Sequence, residues 1–293
     1  MPTPRLFTAS LLISSLGLMA NAHATNLNIE VFNPGAASIF PVSSEIISGD
    51  HQVALIDAQF QRNDAQTLVA RIKATGKTLT TVYISHSDPD YYFGLDVIKA
   101  NFPQAKIIAT KATIAAITAT KDGKKAYWGP ILKGNAPQSI IVPQPLDGNS
   151  FTIDGKKLEV KGLDGPAPER TFVWIPSVKA VVGGVAVAEN IHLWVADTQT
   201  PTSRRYWRET LKKIAALKPE MVVPGHFLPP TDYKLNSVNF SLQYLDTLEK
   251  ELPKSKNSAA LIAAMKTHYP QLQEQSSLEL SARVLKGEMK WPQ

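Results

Sequence analysis

The chain has 293 residues, 44% hydrophobic and 19% charged, a globular composition that excludes a disordered or collagen-like polypeptide. Its net charge of +6 is scattered along the chain with no basic block, so no nucleic-acid partner is expected. Without cysteine there is no disulfide, thiolate metal site or cysteine nucleophile, and any metal must rest on His, Asp, Glu or Tyr.

The amino end reads as an export signal. Arg5 precedes an apolar run over residues 6–19, and Ala22-His23-Ala24 then supplies an A-x-A cleavage site. The run is short for a permanent anchor and is interrupted by Ser and Thr. Residues 1–24 are therefore expected to be a signal peptide. The mature chain, 25–293, is expected to be periplasmic or secreted and to keep no membrane anchor.

Apolar runs at 29–32, 38–42 and 53–56 predict a strand meander. Asn63 and Asp64 cap a predicted helix whose Ala65, Leu68, Val69 and Ile72 share one face, and Gly76 stops it. A predicted strand at 79–84, a polar loop, a helix at 92–100, a strand at 106–109 and a helix at 111–120 give an α/β alternation. Consecutive strands follow at 140–142, 151–153, 158–160, 171–175 and 180–182, with hairpin turns at Asp154-Gly155 and Pro176-Ser177. Helical spacing at 206–217 leads to a short buried strand, 221–223, that ends in Pro224-Gly225-His226. The C-terminal part, 235–293, reads as helices, with Val238, Leu242, Leu245, Leu248 and Leu252 on the 3.6 period and shorter helices at 258–266 and 277–285. No repeat or linker interrupts the pattern, so 25–293 reads as one domain.

The densest chemistry lies in the loop His86-Ser87-Asp88-Pro89-Asp90-Tyr91-Tyr92-Phe93-Gly94. His86, Asp88, Asp90 and Tyr91 can all bind metal, and they follow a predicted strand, where α/β folds place their sites. A turn whose Asx caps open the next helix would use the same residues. The chain has no GxGxxG after a strand, GxxxxGK[ST], GxSxG or HExxH, so nucleotide-binding and serine- or zincin-type hydrolysis lack their loops.

This loop resembles the HxHxDH signature of the metallo-beta-lactamase superfamily. Residues 171–182, with the Pro176 turn, are similar to that family's later hairpin, and Pro224-Gly225-His226 is similar to its last ligand motif. The resemblance runs from residue 28 to about 230. It implies an αββα sandwich, here with a helical C-terminal layer, and one or two metal ions, usually zinc, held by loops at one edge. Carried over by position, it gives His86 as the first histidine, Asp90 as the aspartate and His226 as the last histidine. Asp88 stands in the second histidine's place and Tyr91 in the third's. Asp164 is the nearest candidate for the next ligand, and Gly184 replaces the bridging aspartate.

The resemblance thus implies a divalent metal on His86, Asp88, Asp90, Asp164 and His226, one ion or none, with zinc ahead of manganese or iron. Two carboxylates would offset the ion's charge, leave its water less acidic than at a His-rich zinc site and favour harder metals. Tyr91 can bind a metal only as phenolate, so a neutral phenol is expected. Tyr91 and His192 are the candidate substrate-binding residues, although His192 also reads as a partly buried histidine beside Trp194. Tyr92, Phe93, Tyr127 and Trp128 read as an aromatic wall or as core. The implied function is a metal-dependent hydrolase of an ester, lactone, thioester or amide, in which Asp90 orients or deprotonates the attacking water. The alternative is a metal-poor, non-catalytic binding or accessory protein on the same fold.

Overall fold

Strands buried on both faces need a layer on each side, and the alternation of their residues shows which layers these are. The computed structural model describes Met1 and residues 27–291, so the expected signal peptide beyond Met1 lies outside the described residues. The first half of the chain runs β1 (Asn28–Phe32), β2 (Ser44–Ser48), β3 (Gln52–Ile56), α1 (Arg62–Ala74), β4 (Thr78–Ile84), α2 (Pro89–Tyr92), α3 (Leu95–Asn101), β5 (Lys106–Ala109), α4 (Lys111–Leu132) and β6 (Gln144–Pro145). Its six strands form one sheet in sequence order, antiparallel from β1 to β3 and parallel from β3 to β6.

The second half runs β7 (Ser150–Ile153), β8 (Lys156–Lys161), β9 (Phe172–Ile175), β10 (Ala180–Val182), β11 (Ala188–Glu189), α5 (Pro201–Ala216), β12 (Met221–Val222), β13 (His226–Phe227), α6 (Asn236–Glu251), α7 (Ser258–His268) and α8 (Gln275–Leu285). A second sheet has the order β12-β10-β9-β8-β7, and β11 pairs with β13.

In β3, Val53 and Leu55 pack with Leu68 and Ile72 of α1, whereas Ala54 and Ile56 join Val173, Ile175 and Val182 of the second sheet. In β10 the split is repeated. Val181 packs toward Trp207, Leu245, Leu261 and Leu278 of α5 to α8, and Ala180 and Val182 face the first sheet. The result is helix, sheet, sheet, helix: the αββα sandwich expected from the sequence, with α6 to α8 as the C-terminal layer.

Local differences have physical causes. The expected strand at 38–42 does not form: a 3-10 turn, Gly35–Ala37, precedes it and only a single bridge from Val42 to His226 falls within it, because Pro34, Gly35 and Pro41 break up the run. The strand is instead β2, which is buried throughout despite its Ser and Glu residues. No strand forms at 140–142, and β6 occupies only Gln144–Pro145. Helix α4, capped by Thr110 accepting from the Thr113 amide at 3.1 Å, runs past Gly123 and Gly129 to Leu132. Helix α1 starts at Arg62, after extended Gln61.

Four strand ends meet at one edge of the sandwich. Asp57 follows β3, Ser85 and His86 follow β4, Gly183 and Gly184 follow β10, and Gly225 and His226 follow β12. The Ser85 amide and hydroxyl donate to Asp57 Oδ1 and Oδ2 at 2.8 and 2.6 Å, and the Gly184 amide donates to Ser85 Oγ at 2.8 Å. These bonds fasten the two sheets together beneath that edge. Among the described residues, no helix is long and apolar enough to cross a membrane.

Candidate functional site

A cavity of about 520 Å³ opens at this edge, with His86, Asp88, Asp90 and His226 on its polar side. Asp88 is the extended residue before α2, yet its side chain makes no cap bond, so the carboxylate is left for the cavity. His86 places Nε2 2.9 Å from Asp88 Oδ2 and Nδ1 3.1 Å from the Glu169 carbonyl. Both partners are acceptors, so both bonds form together only when the ring carries both protons. The Lys124 ammonium donates to Asp88 Oδ1 at 3.0 Å and to the Ser87 carbonyl at 2.8 Å. Burial by itself would push the Asp88 carboxyl up. His86, Lys124 and Arg170 outweigh it and hold the group well below the usual carboxylate range.

A second pair lies beside the first, in ion-pair contact without a hydrogen bond of regular geometry. His226 Nε2 lies 3.0 Å from Asp90 Oδ2. Between the two histidines stands Tyr91, edge-on to His86 at 5.4 Å and to His226 at 5.7 Å. Burial, reinforced by Asp90, Asp57 and Asp88, pushes its phenol well above the ordinary value, and its buried hydroxyl has no hydrogen-bond partner among the described residues. Tyr91 is therefore a neutral phenol at physiological pH.

The remaining expected residues divide. His192 is fully buried and lines the cavity, and its Nδ1 lies 3.0 Å from the Tyr244 hydroxyl. Asp164 is exposed on the loop after β8 and does not line the cavity. Tyr127 and Trp128 do line it, while Tyr92 and Phe93 belong to the core between α1 and the first sheet. Lys124, Arg170, Asp197, Glu274 and Trp291 also face this space. None of them lies in a motif, and only folding brings them in. Asp197 accepts from the Trp291 indole at 2.7 Å and the Trp194 indole at 2.5 Å. Burial, reinforced by Asp88, pushes its carboxyl up against the pull of Arg170.

The family model for the Metallo-beta-lactamase superfamily matches residues 38–226. The chain belongs to the metallo-beta-lactamase superfamily. A metallo-beta-lactamase from Pontibacter korlensis is 18% identical over 75% of this chain and 99% of its own, with a TM-score of 0.52. A metallo-beta-lactamase family protein from Thermus thermophilus is 17% identical over 89% of this chain and 91% of its own, with a TM-score of 0.59. At these identities the likeness shows the fold alone. A search of curated protein sequences finds no significant match.

Membership gives the chain a metal-dependent hydrolase-type fold, and metallo-beta-lactamase superfamily proteins generally bind divalent metals. The donors of this chain do not fit such a centre. Gly184, in the bridging aspartate's place, has φ +85°, and a Cβ there would meet the Thr171 carbonyl oxygen at 2.3 Å. The Lys124 ammonium already sits on Asp88, and the Tyr91 phenol holds its proton. Among the described residues, no group of three or more His, Asp or Glu side chains is arranged to hold an ion. Gly184→Asp is expected to destabilise the fold by roughly 2–5 kcal/mol in urea unfolding, through left-handed strain and overpacking, and to bring no bound zinc. A variant as stable as the parent that gains zinc would refute this assignment.

Proposed function

We propose that the mature protein, exported to the periplasm or the medium, hydrolyses acyl compounds by general-base catalysis from the His226–Asp90 pair. The observation that carries this reading is that Asp90 Oδ2 lies 3.0 Å from His226 Nε2 and both residues line the cavity. With its proton on Nε2, on the side of Asp90, the ring presents the Nδ1 lone pair to a water molecule. Nδ1 removes a proton as the water attacks the acyl carbon, Asp90 stabilises the imidazolium, and His226 returns the proton to the leaving group. Arg170, on the same cavity, supplies positive charge toward the developing oxyanion. Zinc, manganese or iron is assigned no step.

The walls select the substrate. Phe40 stacks edge-on to Trp128 at 5.3 Å and to Trp194 at 5.8 Å, and Trp291 packs on Trp194 at 5.1 Å, which suits an apolar or aromatic acyl body. Esters, lactones and thioesters are favoured over amides, whose poorer leaving group needs stronger activation. The partner is then a small molecule, with no role for nucleic acid or a membrane anchor.

The non-catalytic reading is favoured by the Lys124–Asp88 contact, which ties up half of the polar floor. One experiment separates the two. Chelator-treated protein is offered aryl esters, thioesters and lactones while indole emission is followed, since Trp128, Trp194, Trp207 and Trp291 all line the cavity. Turnover above the uncatalysed rate supports the hydrolase. An emission change with no turnover shows the binding protein.

A further inference from the structure

The imidazole of His192 has no solvent contact, and burial, with Lys266 adding to it, lowers the group to about 4, so the ring is neutral. Its backbone is fixed by the hydrogen bond that its amide donates to the Gln273 carbonyl at 3.0 Å and by the bridge between Ile191 and Gln273. Its Nδ1 meets the Tyr244 hydroxyl at 3.0 Å. Tyr244 is itself buried and held by the stacked ring of Tyr269 at 5.0 Å. With the phenol hydrogen donated to Nδ1, only one group of the pair, the Nε2–H, is left without a partner. The opposite tautomer would leave two groups unpaired, the phenol hydrogen and a bare Nε2. Nδ1 is thus the acceptor and Nε2 carries the proton.

That Nε2–H is buried with no hydrogen-bond partner among the described residues, and His192 is one of the residues bordering the cavity. A buried donor left unpaired is costly, and a ligand that supplies an acceptor recovers the cost. We propose that His192 is a recognition group whose Nε2–H seats a carbonyl or carboxylate oxygen of the bound molecule. An ammonium has no acceptor to offer an N–H donor, so a cation gains nothing in the same place. The substrate class is then an acyl compound with a second oxygen acceptor besides the scissile carbonyl. This substrate class rests on the proposal that the cavity is the acyl site.

The test uses four small aromatic probes on the full mature chain, followed by indole emission: benzamide, benzoate, benzylammonium and toluene. Benzamide and benzoate are expected to bind at least about tenfold more tightly than benzylammonium. His192→Phe is expected to weaken both by about tenfold and to leave toluene unchanged, the loss of one buried hydrogen bond. Tyr244→Phe, which frees the tautomer, weakens them by a smaller factor. Long-range proton–nitrogen spectra of unliganded protein at neutral pH are expected to show His192 protonated on Nε2 and bare on Nδ1. The proposal is overturned by a proton on Nδ1, by unchanged benzamide affinity in His192→Phe, by equal binding of benzylammonium, or by no binding of any probe. Probe binding of the expected kind without ester turnover would refute the hydrolase and leave the His192 subsite standing. Turnover with His192→Phe indifferent would do the reverse.

Discussion

His226→Ala is expected to lower kcat for a good aryl ester by about 10²–10⁴-fold, the usual contribution of a positioned base, with KM nearly unchanged. Asp90→Asn keeps the shape of the partner but removes the charge that orients the ring and steadies the imidazolium, so it is expected to fall by a comparable factor. The two residues act as one unit through the 3.0 Å contact, and the double variant should be little worse than either alone. Added imidazole should restore part of the His226→Ala rate, because the missing group is a base. Stopped-flow or continuous release of the aryl alcohol measures all four. Additive losses, or no rescue by imidazole together with rescue by zinc, would point to two independent metal ligands.

Folding stability is expected to fall by about 2 kcal/mol as pH rises from about 6.5 to 8, and Glu45→Gln is expected to remove a large share of that fall. Glu45 is fully buried on β2, and no hydrogen bond of regular geometry reaches either of its carboxylate oxygens. Burial, with a further push from Asp57, raises its carboxyl to about 8. Burial likewise raises Asp57 to about 7, although Ser85 hydrogen-bonds to it twice. In the unfolded chain these carboxyls ionise near 4.5 and 3.8. The native state therefore holds protons that the unfolded state has released. The stabilisation is complete below about pH 4 and is lost as pH climbs through 7 and 8, at about 1.4 kcal/mol per pH unit for each proton. His192 acts in the opposite sense. Its lowered value means that the native state binds fewer protons, so its contribution grows between about 4 and 6.5 and masks the lower part of the decline. Urea unfolding at pH 5, 6, 7 and 8 checks this. Parallel curves for parent and Glu45→Gln would show that Glu45 is not held neutral in the native state.

The sandwich is legible because its strands and helices carry their periods locally. The alternation Val53, Ala54, Leu55, Ile56 and the helical face Ala65, Leu68, Val69, Ile72 state which side meets which layer. β2 is hard to read because Glu45 and the flanking Ser residues look solvent-facing, and only the neutral carboxyl makes their burial tolerable. At the site, His86, Asp88, Asp90 and His226 stand out as a motif, and all four reach one cavity. Lys124 does not stand out. It is one lysine of α4, far along the chain from Asp88, and nothing in local spacing marks the contact that gives that carboxylate an ammonium partner. The same holds for Trp291 and Asp197, joined by a hydrogen bond across 94 positions. Asp164 illustrates the converse: loop position suggests a ligand, but the chain between β8 and β9 carries it to the surface.

The most direct measurement is the ester-hydrolysis rate of chelator-treated protein, taken with its metal content before and after zinc, manganese and iron are offered in turn. A base-catalysed site keeps its rate without metal, holds no ion tighter than micromolar, and loses activity in His226→Ala whatever ion is present. Activity that disappears with the chelator and returns with one equivalent of an ion would contradict the account.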